Sequence, residues 1–174
     1  MKKTAVKLRF SAIAAVGLIA LTACSGDSSR SSGHSRNDLN CMMRAIFFEA
    51  NRSSRDGMIA VGSVVMNRVE SDKFPNTVCG VVSQKGQFAP GVMTRKMDSK
   101  ALPDVREAAI AVLNGERQPG IQQAMFFHTS GYTFPYDNMH YVLVAGGNAF
   151  YEKRKNHLVT QPVPPISIER RRGY

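Results

Sequence analysis

The sequence predicts a mainly α domain (α+β overall), small and single, with minor β-structure near its C-terminal end. Three observations predict it. Between residues 38 and 113 apolar side chains recur at intervals of three and four, the spacing of helices that turn one face to a core. After residue 120 this gives way to short aromatic and β-branched runs broken by Gly146-Gly147. The 174 residues leave room for one domain plus tails, and no internal repeat is visible.

Residues 1–23 read as an export signal. Lys2, Lys3, Lys7 and Arg9 form a basic start, and Phe10 to Ala20 is an apolar run too short to span a bilayer comfortably. Leu21-Thr22-Ala23-Cys24 closes it in a pattern that resembles the bacterial lipobox, in which Cys24 is lipidated and becomes the new N-terminus. The alternative is an ordinary signal peptide cut near Ala23. Ser25 after the cysteine, rather than Asp, resembles the outer-membrane sorting pattern, so the expected location is the periplasmic face of the outer membrane. Residues 24–37 are Ser, Gly and charge with almost no apolar surface to bury, and are expected to form a flexible tether.

The domain proper is expected over 38–155. A first helix from Asp38 to Asn51 carries Leu39, Met42, Met43, Ile46, Phe47 and Ala50 on one stripe, with Asp38 as N-cap. Glu49 falls on the border of that stripe, half toward the core and half toward a cleft. A second helix starts at Ser53 or Ser54, where Ser53 and Asp56 stand close to a capping-box arrangement. Its body, Met58 to Val69, is apolar nearly all round, as a buried central helix would be, and Pro75 marks the break after it. A short turn over Cys79–Gln84 and a loop through Gly86, Gln87 and Phe88 follow. Pro103 opens a third long helix with Val105, Ala108, Ala109, Val112 and Leu113 inward, closed by Asn114-Gly115. Ala124 to His128 and Tyr141 to Tyr151 read as strands, the latter a hairpin. Residues 156–174, with three prolines and the run Glu169-Arg170-Arg171-Arg172, read as an extended, solvated basic tail.

Net charge is +10, from 23 basic and 13 acidic residues. Such a balance favours polyanionic neighbours. An exported chain meets acidic wall and lipid groups before any nucleic acid, so no nucleic-acid partner is expected. Beyond Cys24, Cys41 and Cys79 either close a disulfide in an oxidising compartment or remain two buried thiols. His128, His140 and His157 show none of the zinc-ligand spacings, and neither metal nor cofactor is expected. The nine methionines are read as core filler.

The chemistry centres on residues 44–51, RAIFFEAN. A carboxylate held against Phe47, Phe48 and Met42 loses hydration, so its pKa rises and it stays protonated as a general acid must. Position alone leaves Glu49 an ordinary helix-edge residue.

The run from Cys41 to Arg154 resembles the SleB-type cell-wall hydrolases, a family named for spore cortex-lytic enzymes and also found in proteobacteria. The matching pieces, in the family's order, are RAIFFEA (Arg44 to Ala50), DGMIAVGSVVMNRV (Asp56 to Val69), FPNTVCGVV (Phe74 to Val82), QF (Gln87-Phe88), FFH (Phe126 to His128) and AFYEKR (Ala149 to Arg154). The resemblance implies a lysozyme-like, mainly helical fold that cleaves the glycan strands of peptidoglycan, with Glu49 as catalytic acid. Many relatives carry a second Glu four residues later, where this chain has Ser53. A one-carboxylate mechanism follows: lytic transglycosylation, forming 1,6-anhydro ends. A hydrolase would need a second carboxylate, and Asp56, Asp98 and Asp137 are the candidates. Substrate contacts are expected from Asn67, Gln87, Phe88, His128 and Tyr132, with Tyr136 and Tyr141 as further sugar-stacking candidates; each also has a plain packing role open to it. Two other classes compete: a non-catalytic wall-binding lipoprotein and an amidase or peptidase acting on the stems.

Overall fold

The computed structural model describes residues 35–50 and 53–173. The signal segment 1–23, Cys24 and most of the expected tether lie outside the described residues. Helix α1 (Arg36–Ala50) begins two residues before the expected Asp38. Ser35 and Asp38 cap it reciprocally: the Ser35 N–H and hydroxyl donate to Asp38 Oδ2, and the Asp38 N–H donates to Ser35 Oγ, all at 3.1 Å. Asp38 is therefore the third residue of a capping box whose N-cap is Ser35, so the tether stops short of residue 37.

Helix α2 (Arg55–Val69) is capped by Ser54, whose side chain accepts from the Gly57 N–H. Ser53 turns back instead, its hydroxyl donating to the Ala50 carbonyl at 2.8 Å. From Gly57 to Met66 every residue of α2 is buried, the central helix its all-round apolarity predicts. A short helix α3 (Val78–Val82), capped by Thr77, follows. Helix α4 (Leu102–Leu113) buries the five side chains expected of it. Around α2 these helices pack a core in which Met42, Ile46, Val61, Val64, Val65, Val105 and Val112 are fully buried. Each such aliphatic chain contributes about 1.5–3 kcal/mol relative to exposure.

Three antiparallel strands complete the domain: β1 (Phe126–Thr129), β2 (Met139–Ala145) and β3 (Asn148–Lys153), in the order β1-β3-β2. The β2–β3 connection is the two-residue turn Gly146-Gly147, with φ of 57° and 80°. Positive φ at both centres is the hairpin geometry that glycine accepts without strain. One sheet face sends Phe127, Leu143 and Phe150 into the helical core. The other carries Met139, Tyr141, Val144, Ala149 and Tyr151.

The C-terminal segment is not the extended tail expected. Residues Asn156–Leu158 form a 3-10 turn, the Tyr141 N–H donates to the Gln161 carbonyl at 2.9 Å, and a last helix α5 (Ile168–Arg172) folds back onto the domain. Ser167 caps α5, Ile168 is only 9% exposed, and Arg172 pairs with Asp56. The contacts that dock it, Ile168 and the Arg172–Asp56 pair among them, are hidden in a run of prolines and arginines.

Cys41 on α1 and Cys79 on α3 are disulfide-bonded across a sequence separation of 38. In the chain-entropy account, closing a loop of that length stabilises by about 3–4 kcal/mol. A Cys41→Ser/Cys79→Ser variant is expected to melt roughly 10 °C below the parent. A thiol reductant should lower the parent's Tm and leave the variant's unchanged; equal Tm values for parent and variant would remove the bond's contribution.

Candidate active site

Glu49 sits in the last turn of α1 and, with Phe47 and Phe48, lines a cleft of about 860 Å³. The cleft is lined by the end of α1, by Ser53 and Ser54, by the 95–99 loop, by the Gly146-Gly147 turn and by Glu169 of α5. Each wall is fixed by a contact readable in the structure. Arg44, five residues before Glu49, donates to the carbonyls of Val92 (3.0 Å) and Arg95 (2.8 Å) and so holds the loop that forms one rim. Arg95 in turn lays its guanidinium over the Phe48 ring at 4.6 Å. On the opposite side Asn148 donates its amide to the Glu49 carbonyl at 3.2 Å, tying the hairpin to the end of α1.

Four forces set the charge of Glu49. Burial is the largest and raises its pKa above the ordinary carboxyl value. The Ala89 N–H, donating to Oε1 at 2.6 Å, and the charge of Arg68 both pull it back down. The carboxyl also lies at the C-terminal end of its helix, whose negative dipole end disfavours an anion. The result is a group that holds a proton more readily than a surface glutamate and has partners ready when the proton leaves.

Arg68, the last basic residue of α2, is 3% exposed. Its Nε donates to the Met125 carbonyl at 2.7 Å, and its guanidinium faces the rings of Phe74, Phe88 and Phe126 at 5.1–5.8 Å. Burial pushes its pKa down to about 10, which still leaves it a cation at neutral pH.

Of the residues expected to bind substrate, the cleft lining includes none. Asn67 donates to the carbonyls of Gln122 (3.0 Å) and Ala124 (2.9 Å), holding a loop whose Gln122 has a φ of 49°. Phe88 is buried against Phe127 and the Arg68 guanidinium, and Gln87 is exposed beside it. Phe88 is packed in the loop, and the N–H of the next residue, Ala89, reaches Glu49. A backbone donor carries no side-chain signature, which is why Ala89 escaped the sequence reading. His128 bonds the Thr129 carbonyl and the Tyr141 hydroxyl, each at 2.9 Å, on the outer face of the sheet. Tyr132 is 66% exposed and outside the cleft. Among the second-carboxylate candidates Asp98 lines the cleft rim and ion-pairs with Lys96, Asp56 is bound to Arg172, and Asp137 accepts from Asn156. The sequence reading missed Glu169, assigned to the tail, which lines the cleft with Glu49.

Relatives carry the same domain. The chain is 36% identical over 86 residues to the spore cortex-lytic enzyme of Oceanobacillus iheyensis, covering 48% of this chain and 30% of that protein. It is 30% identical over 108 residues to that of Bacillus subtilis, covering 60% and 33%. It thus spans about a third of the length of these relatives. The catalytic domain of the germination-specific lytic transglycosylase SleB from Bacillus anthracis superposes with a TM-score of 0.58 at 26% identity, covering 69% of this chain and 98% of that one. The SleB catalytic domain of Bacillus cereus, 24% identical, shares the fold with the same TM-score, covering 72% and 99%. The cell wall hydrolase model matches residues 52–151, more than half of the sequence, and the chain belongs to this family.

Proposed function

We propose that this chain cleaves peptidoglycan glycan strands between N-acetylmuramic acid and N-acetylglucosamine as a lytic transglycosylase, with Glu49 as its one proton-transferring residue. The observation that carries the reading is a half-buried carboxyl, its pKa raised by burial, lining a cleft of about 860 Å³. The name of the similar Bacillus anthracis domain, a lytic transglycosylase, points the same way.

In this mechanism Glu49 gives its proton to the glycosidic oxygen as the bond to the muramic C1 breaks. The departing sugar leaves as an alcohol, and positive charge develops at C1. Glu49, now a carboxylate, takes the proton of the sugar's own 6-hydroxyl while O6 bonds to C1. The 1,6-anhydro ring closes and the acid is regenerated, with no water consumed. One residue must therefore be comfortable in both protonation states. Burial favours the acid; the Ala89 N–H and Arg68 favour the base.

A hydrolytic second reading survives on one observation: Asp98 and Glu169 line the cleft with Glu49. Mass spectrometry of muropeptides released by the purified protein separates the two. Transglycosylation leaves ends lighter by one water than the reducing ends of hydrolysis, and a spectrum of reducing ends alone overturns the one-carboxylate mechanism.

Glu49→Gln is expected to reduce turnover by at least about 100-fold. Its stability effect has a definite sign. Because the folded pKa of Glu49 is raised, the native state holds its proton more tightly than the unfolded chain does. The stability this contributes is fully present at acid pH, below the unfolded pKa, and is lost as pH rises through the folded pKa. Gln keeps an Oε1 acceptor for Ala89 and never ionises, so its Tm relative to the parent should rise with pH across that range. A Tm difference independent of pH would contradict the raised pKa.

We further propose that the chain is exported and held at the periplasmic face of the outer membrane through a lipid on Cys24. Cys24→Ala should move the protein from the membrane to the soluble fraction; retention in the membrane fraction would end this proposal.

A further inference from the structure

Helix α5 lies beyond the family match, which ends at residue 151, yet its Glu169 is part of the cleft wall. Its Oε1 accepts from the Ser54 hydroxyl at 2.6 Å and from the Gly146 N–H at 2.8 Å. Ser54 is the N-cap of α2, at the corner where α1 passes into α2. Gly146 opens the hairpin turn whose Asn148, two residues on, donates to the Glu49 carbonyl. One carboxylate oxygen thus joins the two pieces of backbone that flank the end of the helix presenting Glu49. Ile168 buried in the core and the Arg172–Asp56 ion pair hold α5 on either side of that bridge.

We propose that Glu169 is a positioning residue for Glu49: by clamping Ser54 to Gly146 it fixes the hairpin turn, and through Asn148 the end of α1, in the arrangement needed for turnover. The proposal rests on the reading of Glu49 as the proton-transferring group. The role asks for an acceptor at one place, not for a proton donor or a nucleophile. That distinction is testable, because both bonds end on Oε1 and glutamine keeps that oxygen.

Three full-length variants test it on peptidoglycan: Glu169→Gln, Glu169→Asp and Glu169→Ala. Glu169→Gln should keep kcat within about threefold of the parent. Glu169→Asp, which keeps the charge but is one methylene short of the two donors, and Glu169→Ala should each lose kcat by about tenfold or more, with KM changed less than kcat. Parent-like kcat in Glu169→Asp overturns the proposal. Equal loss in Glu169→Gln and Glu169→Asp overturns it too, since that would make Glu169 a reacting carboxylate or a mere anchor.

Amide exchange at Gly146, read by NMR, supplies an arm that needs no activity. Protection should fall in Glu169→Asp and persist in Glu169→Gln; unchanged protection in Glu169→Asp also overturns the clamp. Should the parent release no muropeptides while Gly146 responds as described, the Glu49 reading fails and the clamp stands. If Glu169→Ala does not fold, the Gln and Asp variants still decide the matter.

Discussion

The cleft depends on the approach of two glycines. Gly57, in the first turn of α2, and Gly146, in the hairpin turn, lie so close that a Cβ built on Gly57 would meet the Gly146 Cα at 2.5 Å, and one on Gly146 would meet the Gly57 Cα at 2.7 Å. Real side chains do not reach such separations, and backbone on both sides leaves nothing flexible to yield. The contact brings the sheet onto the helical layer beside Ser53 and Ser54. Without it Asn148 would not meet the Glu49 carbonyl and Glu169 would not meet the Gly146 N–H. Gly146 meets a second demand, a φ of 57°, that also favours glycine. Two unrelated constraints therefore fall on one residue, and the wall of the cleft is built from their coincidence.

The second constraint is electrostatic. Taking Arg68 out of water is unfavourable, and its Nη1 has no hydrogen-bond partner among the described residues. Three aromatic faces and the Met125 carbonyl offset part of that cost. What the fold obtains is a cation close enough to Glu49 to ease its ionised state, inside packing that keeps the acid form favoured. Arg68 is also what joins the aromatic pieces: Phe74 after α2, Phe88 of the loop that delivers Ala89, and Phe126 of β1 all face it. The residue that tunes the carboxyl therefore also sets the loop that bonds it.

Much of this was legible in the sequence. The 3.6-residue spacing identified α1, α2 and α4, including the five inward side chains of α4, because each helix buries one continuous stripe or, for α2, its whole surface. Gly146-Gly147 marked the hairpin because few other residues accept those angles. Glu49 was singled out by the family resemblance of its motif, since position alone left it an ordinary helix-edge residue. Asn67, His128 and Phe88 have the chemistry to touch a sugar, and each also holds a partner 13 to 57 positions away in the chain, a packing role that no local pattern reports. Asp38 looked like an N-cap because it is a good one; Ser35, hidden in a serine-rich run, was the better placed. The C-terminal segment misled for the same reason, since Ile168 and Ser167 are ordinary residues in a basic, proline-rich context.

The two glutamates of the cleft show how one fold gives the same side chain opposite electrostatic surroundings. Glu49 accepts from the Ala89 N–H and feels the charge of Arg68, but burial outweighs both and its pKa rises. Glu169 is also partly buried, which alone would raise its pKa. Hydrogen bonds from the Ser54 and Ser167 side chains, the Gly146 N–H and its own backbone N–H outweigh that and hold it below the usual value. Glu169 is an anion whose acceptor capacity is largely engaged by the fold, and a carboxylate so satisfied is a weak base and a poor nucleophile. Of the two glutamates, Glu49 is thus the one whose surroundings favour holding a proton, the property the proposed mechanism asks of it.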